Sequence, residues 1–146
     1  GVFVDAKEET IIRLMNEDVI QLAQLHGNES EQEIIRLQKA TKKPVIKAFR
    51  IQSKKDIDLA VHSPADYILL DYGKGEGKTF DWSLLEPMQR KWILAGGLGI
   101  ENVKEAVQKY HPWAVDISSG VETEKRKDPQ KIKTVIENIR TMERKK

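Results

Sequence analysis

Residues 92–120 read WILAGGLGIENVKEAVQKYHPWAVDISSG. The apolar run Trp92 to Ala95 ends at Gly96-Gly97, and Ile100, Val103, Ala106, Val107 and Tyr110 then recur at helical spacing. Ala114-Val115 opens a second apolar run that stops at Ser118-Ser119-Gly120. A short apolar run bounded by glycine reads as a buried strand, and the 3.6-residue period reads as a helix with one face on a core. Strand, helix, strand in that order predicts parallel strands, since antiparallel neighbours need only a tight turn.

The same unit repeats on either side. GVFV at 1–4 is followed by a helix face of Ile11, Ile12, Leu14 and Met15, with Asp5 as its expected N-cap and Glu8 completing a capping box. IQLAQLH at 20–26 is followed by a Ser30/Glu33 capping box and by Ile34, Leu37 and Ala40. PVIKAF at 44–49 precedes a short helix over 54–61, and YILLD at 67–71 precedes a loop with Gly73, Gly75 and Gly77 and a short helix over 81–88. Asp128-Pro129 opens a last helix lined by Ile132, Val135, Ile136 and Ile139, with a charged tail from Arg140 expected to fray. The pattern predicts six βα units in one domain of 146 residues.

Composition narrows the function classes. Hydrophobic residues make up 39% and charged residues 33%, with a formal net charge of +2 and both signs interspersed. That balance is not a nucleic-acid footprint. No apolar run is long enough to span a bilayer. The chain has no cysteine, which excludes a disulfide, a Cys-ligated zinc site or a cysteine nucleophile within it, and a reducing, cytoplasmic location fits.

No strand leads into a GxGxxG fingerprint. Instead, residues able to do chemistry end nearly every strand: Asp5, His26, Asp71, Gly96-Gly97 and Ser118-Ser119. This distribution suits a (βα) barrel, whose site is assembled from all its strand ends. A (βα)8 barrel has eight units, so the expectation is that the first two are missing and that GVFVD is the third strand. Long apolar edges would then stay exposed, inviting self-association or pairing with the missing N-terminal segment.

Gly96, Gly97, Ser118, Ser119 and Gly120 form two adjacent loops that could turn backbone N–H groups toward a phosphate, or could be plain tight turns. Asp71, a carboxylate at the rim of the barrel interior, suits a general acid; a helix cap or solvated turn residue is the alternative. The glycines at 73–77 read as a mobile loop over the mouth, and GEGK lacks P-loop spacing. His26 and Asp116 are candidates for the substrate pocket, His26 also for a structural hydrogen bond. Lys47 points either into the barrel or outward. His62 and His111 read as loop residues, no set has zinc spacing, and Trp82, Trp92 and Trp113 are expected in the core.

The segments GVFV, QLHG, VIKAF, ILLD, GEGKTFDWSLL, LAGGLGIENV, and AVDISSGVE followed by KDPQKI, in that order, resemble the phosphoribosylanthranilate isomerase family of tryptophan biosynthesis. The resemblance implies a (βα)8 barrel. It also implies an Amadori rearrangement of N-(5-phosphoribosyl)anthranilate to its 1-deoxyribulose isomer, with no metal or cofactor. It makes Asp71 the acid that protonates the ribose ring oxygen. It puts the substrate phosphate on Gly96, Gly97, Ser118, Ser119 and Gly120, with His26 nearby. Lys74 and Glu76 depart from the family pattern. The family's base cysteine, ending the first strand, and an arginine after the second strand have no counterpart, so the chain alone is expected to be inactive. Two other readings remain at this level. One is a non-catalytic half-barrel completed by another chain. The other is a related phosphate-binding barrel isomerase with two catalytic carboxylates, for which Asp5 is the second candidate.

Overall fold

The structure, a computed structural model, describes residues 1–71 and 81–143. Six strands make one parallel sheet: β1 (Val2–Phe3), β2 (Ala23–Leu25), β3 (Val45–Arg50), β4 (Tyr67–Asp71), β5 (Trp92–Leu94) and β6 (Ala114–Val115). They lie side by side in chain order, with no crossover that skips a neighbour. A doubly wound sheet reverses its order partway across; sequential order is that of a barrel wall. The helices are α1 (Glu8–Asn16), α2 (Glu31–Thr41), α3 (Lys54–His62), α4 (Val103–Tyr110) and α5 (Pro129–Glu143).

Side-chain alternation divides the sheet into two faces. Leu25, Val45, Ile68, Leu70, Trp92 and Leu94 are buried in clusters with the helix residues Ile11, Met15, Ile34, Leu37, Ile57, Ala60 and Ala106. On the other, inner face, Ala48, Leu69, Ile93 and Ala95 form a smaller cluster with Ile46 and Ala114 packed against it. The strands are apolar without alternation because both faces are covered.

Several expectations need correction. Asp5 does not cap α1: it has a left-handed φ of 48°, and the N-cap is Lys7. Both carboxylates are drawn to other partners. Asp5 accepts from the Asn28 amide at 2.6 Å, and Glu8 pairs with Arg36 at 2.8 Å. The helix expected over 81–88 is a 3₁₀ turn, Trp82–Leu84. Asp81 caps Ser83 N–H at 2.9 Å, and Pro87 disfavours helical geometry at Glu86. Helix α5 continues through the expected frayed start of the tail to Glu143. The glycines of 73–77, with Lys74 and Glu76, lie outside the described residues.

An antiparallel hairpin, β7 (Glu122–Thr123) with β8 (Arg126–Lys127), follows β6, where the apolar periodicity gives no strand signal. Its turn residues Glu124 and Lys125 have φ of 51° and 63°, the left-handed pair of a type I′ turn without its usual glycine. The edge strands are two residues each, not long. Trp92 is buried, but Trp113 is 54% exposed and stacks on Tyr67 at 4.8 Å. His62 is the last residue of α3, and His111 caps α4 with a φ of 49°.

Candidate active site at the carboxyl ends of the strands

β4 ends at Asp71, two residues after inner-face Leu69, so its carboxylate lies on the inner face. His26 follows β2 directly, and its N–H donates to Phe3 O at 2.8 Å, extending the strand pairing by one residue. Its Nε2 stands 3.5 Å from Asp71 Oδ2, with the two side chains 35% and 23% exposed. The Gln24 amide nitrogen is 3.1 Å from His26 Nδ1. With that nitrogen donating, Nδ1 accepts and the ring proton sits on Nε2, facing Asp71.

Arg50 pairs with Asp71 in the β3–β4 register and shares the parity of inner-face Ala48. Arg50 is thus the strand neighbour of Asp71 on the same face of the sheet. The available signal for it in the sequence was a second charged residue, after Lys47, directly following the run Pro44 to Phe49. Lys47 has the opposite parity and lies with Val45 on the helix-facing side, so the outward alternative holds. Asp5 is engaged by Asn28 N and Nδ2, at 2.6 and 3.2 Å.

The two glycine-bearing loops meet. Gly96 and Gly97 have φ of 81° and 64°, in the left-handed region that favours glycine. Asn102 fastens their loop: its Oδ1 accepts from Gly99 N–H at 2.9 Å, and its Nδ2 donates to Gly97 O at 3.0 Å. Gly99 and Gly120 form a parallel bridge, and a Cβ on Gly120 would lie 1.9 Å from Leu98 O. Only glycine permits that approach. An open cleft of about 510 Å³ is lined by Gly97, Gly99, Asn102, Ser119, Gly120 and Lys131, among others. Gly96 and Ser118 border its loops without lining it. Ser118 is held by Lys127, whose Nζ donates to its carbonyl at 3.0 Å and lies 3.1 Å from its hydroxyl. Lys127 and Lys131 escaped sequence reading because the hairpin that brings them back was not anticipated. Asp116 is exposed just past β6, with its N–H on Leu94 O at 2.9 Å. The structure thus brings His26 to Asp71, and Gly97 to Ser119 and Gly120.

A sequentially ordered parallel sheet with helices between its strands, and with these residues gathered at the strand carboxyl ends, defines an α/β protein of the TIM-barrel-like class. Comparison with known proteins narrows the class. Residues 1–138 match the family model of N-(5′-phosphoribosyl)anthranilate (PRA) isomerase. The isomerase of that name from Endomicrobium trichonymphae is 44% identical over 148 residues, covering 97% of this chain and 72% of the relative. The crystal structure of phosphoribosyl anthranilate isomerase from Thermotoga maritima superposes with a TM-score of 0.84 at 38% identity, covering 97% of this chain and 72% of that one. A second structure is an isomerase of the same name in complex with reduced 1-(o-carboxyphenylamino)-1-deoxyribulose 5-phosphate. It gives a TM-score of 0.81 at 36% identity, with 97% of this chain and 70% of that one covered. The chain belongs to the PRA isomerase family, the isomerase enzymes of tryptophan biosynthesis. The family resemblance drawn from the motifs is borne out.

Proposed function

We propose that this chain carries the proton-donating and phosphate-binding parts of a PRA isomerase site, and that its six strands correspond to strands three to eight of the family's barrel. The observation that carries the proposal is Asp71 on the inner face with His26 Nε2 at 3.5 Å, on the same strand-end rim as the glycine loops. The fraction of the relatives' length that the chain spans, about 72%, supports the correspondence.

In an Amadori rearrangement of a phosphoribosyl amine, the ring oxygen takes up a proton as the C1′–O bond breaks. The nitrogen lone pair forms C1′=N⁺. A proton then leaves C2′, the electron pair of that C–H bond forms C1′=C2′ and discharges the nitrogen, and the enol becomes a ketone as C1′ takes up a proton and the C2′ hydroxyl releases its own. Asp71 supplies the first proton, and His26 orients its carboxyl group. The amides of Gly96, Gly97, Ser118, Ser119 and Gly120 hold the 5′-phosphate, and Asp116 borders the substrate pocket. No cysteine is present to take the C2′ proton, and a positioned base is worth about 10²–10⁴-fold. The chain by itself is therefore expected to be inactive. A phosphorylated small-molecule substrate and a cytoplasmic location belong to the same reading.

The test is turnover of PRA by the 146-residue chain, with and without a separate peptide carrying the family's first two βα units. Turnover is expected only in the mixture, and it should disappear when the peptide's base cysteine is replaced by serine. Full turnover by the chain alone would contradict the reading.

A further inference from the structure

Lys47 and Glu29 are, among the described residues, the ion pair with both side chains buried: 8% and 5% exposed, with Nζ 3.1 Å from Oε2. Lys47 faces the helices, so it does not reach the inner face where His26 and Asp71 meet. Its hydrogen bonds run to the segment that carries His26. Nζ donates to Gly27 O at 2.7 Å and to Leu25 O at 3.4 Å, the two residues flanking His26. Glu29 completes the hold. Its Oε2 accepts from Gly27 N–H at 2.9 Å, and its Oε1 accepts from Asp5 N–H at 3.0 Å. Asp5 in turn accepts from Asn28 N–H at 2.6 Å. Residues 25, 27, 28 and 29 are all tied, directly or through Asp5, to this one pair.

Burying two charges carries a desolvation penalty that their mutual attraction often only offsets, so such a pair is weak evidence for stability. It is better suited to fixing one arrangement of a loop, because each alternative arrangement strands a buried charge. We infer that Lys47–Glu29 is a positioning device that sets His26 against Asp71. Neither residue is catalytic; both act through the backbone on either side of His26. The inference rests on the reading of His26 and Asp71 as the site, but its test needs no turnover.

The test is side-chain NMR of the three histidines at one fixed pH, together with amide hydrogen exchange, on the full chain. The Asp71→Asn variant defines where the His26 ring signal goes when its partner changes. Glu29→Gln and Lys47→Met should move the His26 signal toward that position and leave those of His62 and His111 in place. Exchange at the Gly27 and Asn28 amides should accelerate roughly 10-fold or more. If Lys47→Met does not fold, the double variant Lys47→Met/Glu29→Gln leaves no charge unpaired and is expected to give the same shift. A purely structural pair would lower Tm without moving the His26 signal. Folded variants with the His26 signal at its original place overturn the inference, and so does an Asp71→Asn variant that leaves His26 unmoved. Failure of turnover in the reconstituted mixture bears on the proposed function and not on this result.

Discussion

Asp71 ends an apolar strand, and that alone made it legible: a carboxylate after Tyr67-Ile68-Leu69-Leu70 stands at a rim that no packing requirement explains. In the reconstituted mixture, Asp71→Asn should lower kcat about 10²–10⁴-fold with KM nearly unchanged, since a proton donor acts in the transition state. Steady-state kinetics check this, and near-normal kcat would remove Asp71 from the chemistry. Gly120 was legible as a loop glycine, but the reason it must be glycine lies in Leu98 O, brought close by the bridge to Gly99. Gly120→Ala should open that bridge, costing about 1–3 kcal/mol in urea unfolding and weakening binding of inorganic phosphate. Arg50 and Lys127 were not legible, because their significance comes from partners brought close only by strand register and by the hairpin. Lys47 could not be assigned a side because alternation gives faces only once neighbouring strands fix which face is inward.

Two capping-box spacings in the sequence have different outcomes in the structure, for a physical reason. Ser30 and Glu33 satisfy one another as the sequence suggested: the Ser30 amide and hydroxyl each donate to Glu33 Oε2 at 2.7 Å. Asp5 and Glu8 have the same spacing, but the fold offers them partners on α2 and its loop. The hydrogen bond from the Ser30 amide, and then that from its hydroxyl, hold the Glu33 carboxyl below its ordinary value of 4.5. A depressed folded-state value adds stability above the ordinary value, and that stability is lost as pH falls through the folded one. Ser30→Ala should therefore be less stable than the parent at about pH 7, and the gap should narrow at about pH 3. Urea unfolding at both pH values checks this; a gap of constant size would contradict it. Arg90 binds the end of α3 and the turn beyond it, with Nη1 on Val61 O at 2.8 Å and on Ser63 O at 2.9 Å, and Nη2 on Ala65 O at 2.5 Å. Arg90→Met should cost about 1.5–3 kcal/mol in the same measurement.

The alternation of strand and helix carried the parallel sheet, and the residues at the strand ends carried the barrel class. The strand order agrees with both. Less legible was how little of each apolar run pairs: IQLAQLH contributes three residues to the sheet and AVDISSG two, because strand length depends on the neighbour's register. The central claim is that one strand-end rim of this chain recognises a phosphorylated anthranilate sugar through the glycine loops and the Asp71–His26 pair. Amide chemical-shift mapping with reduced 1-(o-carboxyphenylamino)-1-deoxyribulose 5-phosphate, against inorganic phosphate, tests it most directly. The expected result is saturable shifts at Gly96, Gly97, Ser119 and Gly120 with both ligands, and at His26 and Asp71 with the sugar phosphate alone. Shifts confined to the apolar groove along Ile132 and Ile136 of α5, or none at either set of residues, would contradict it.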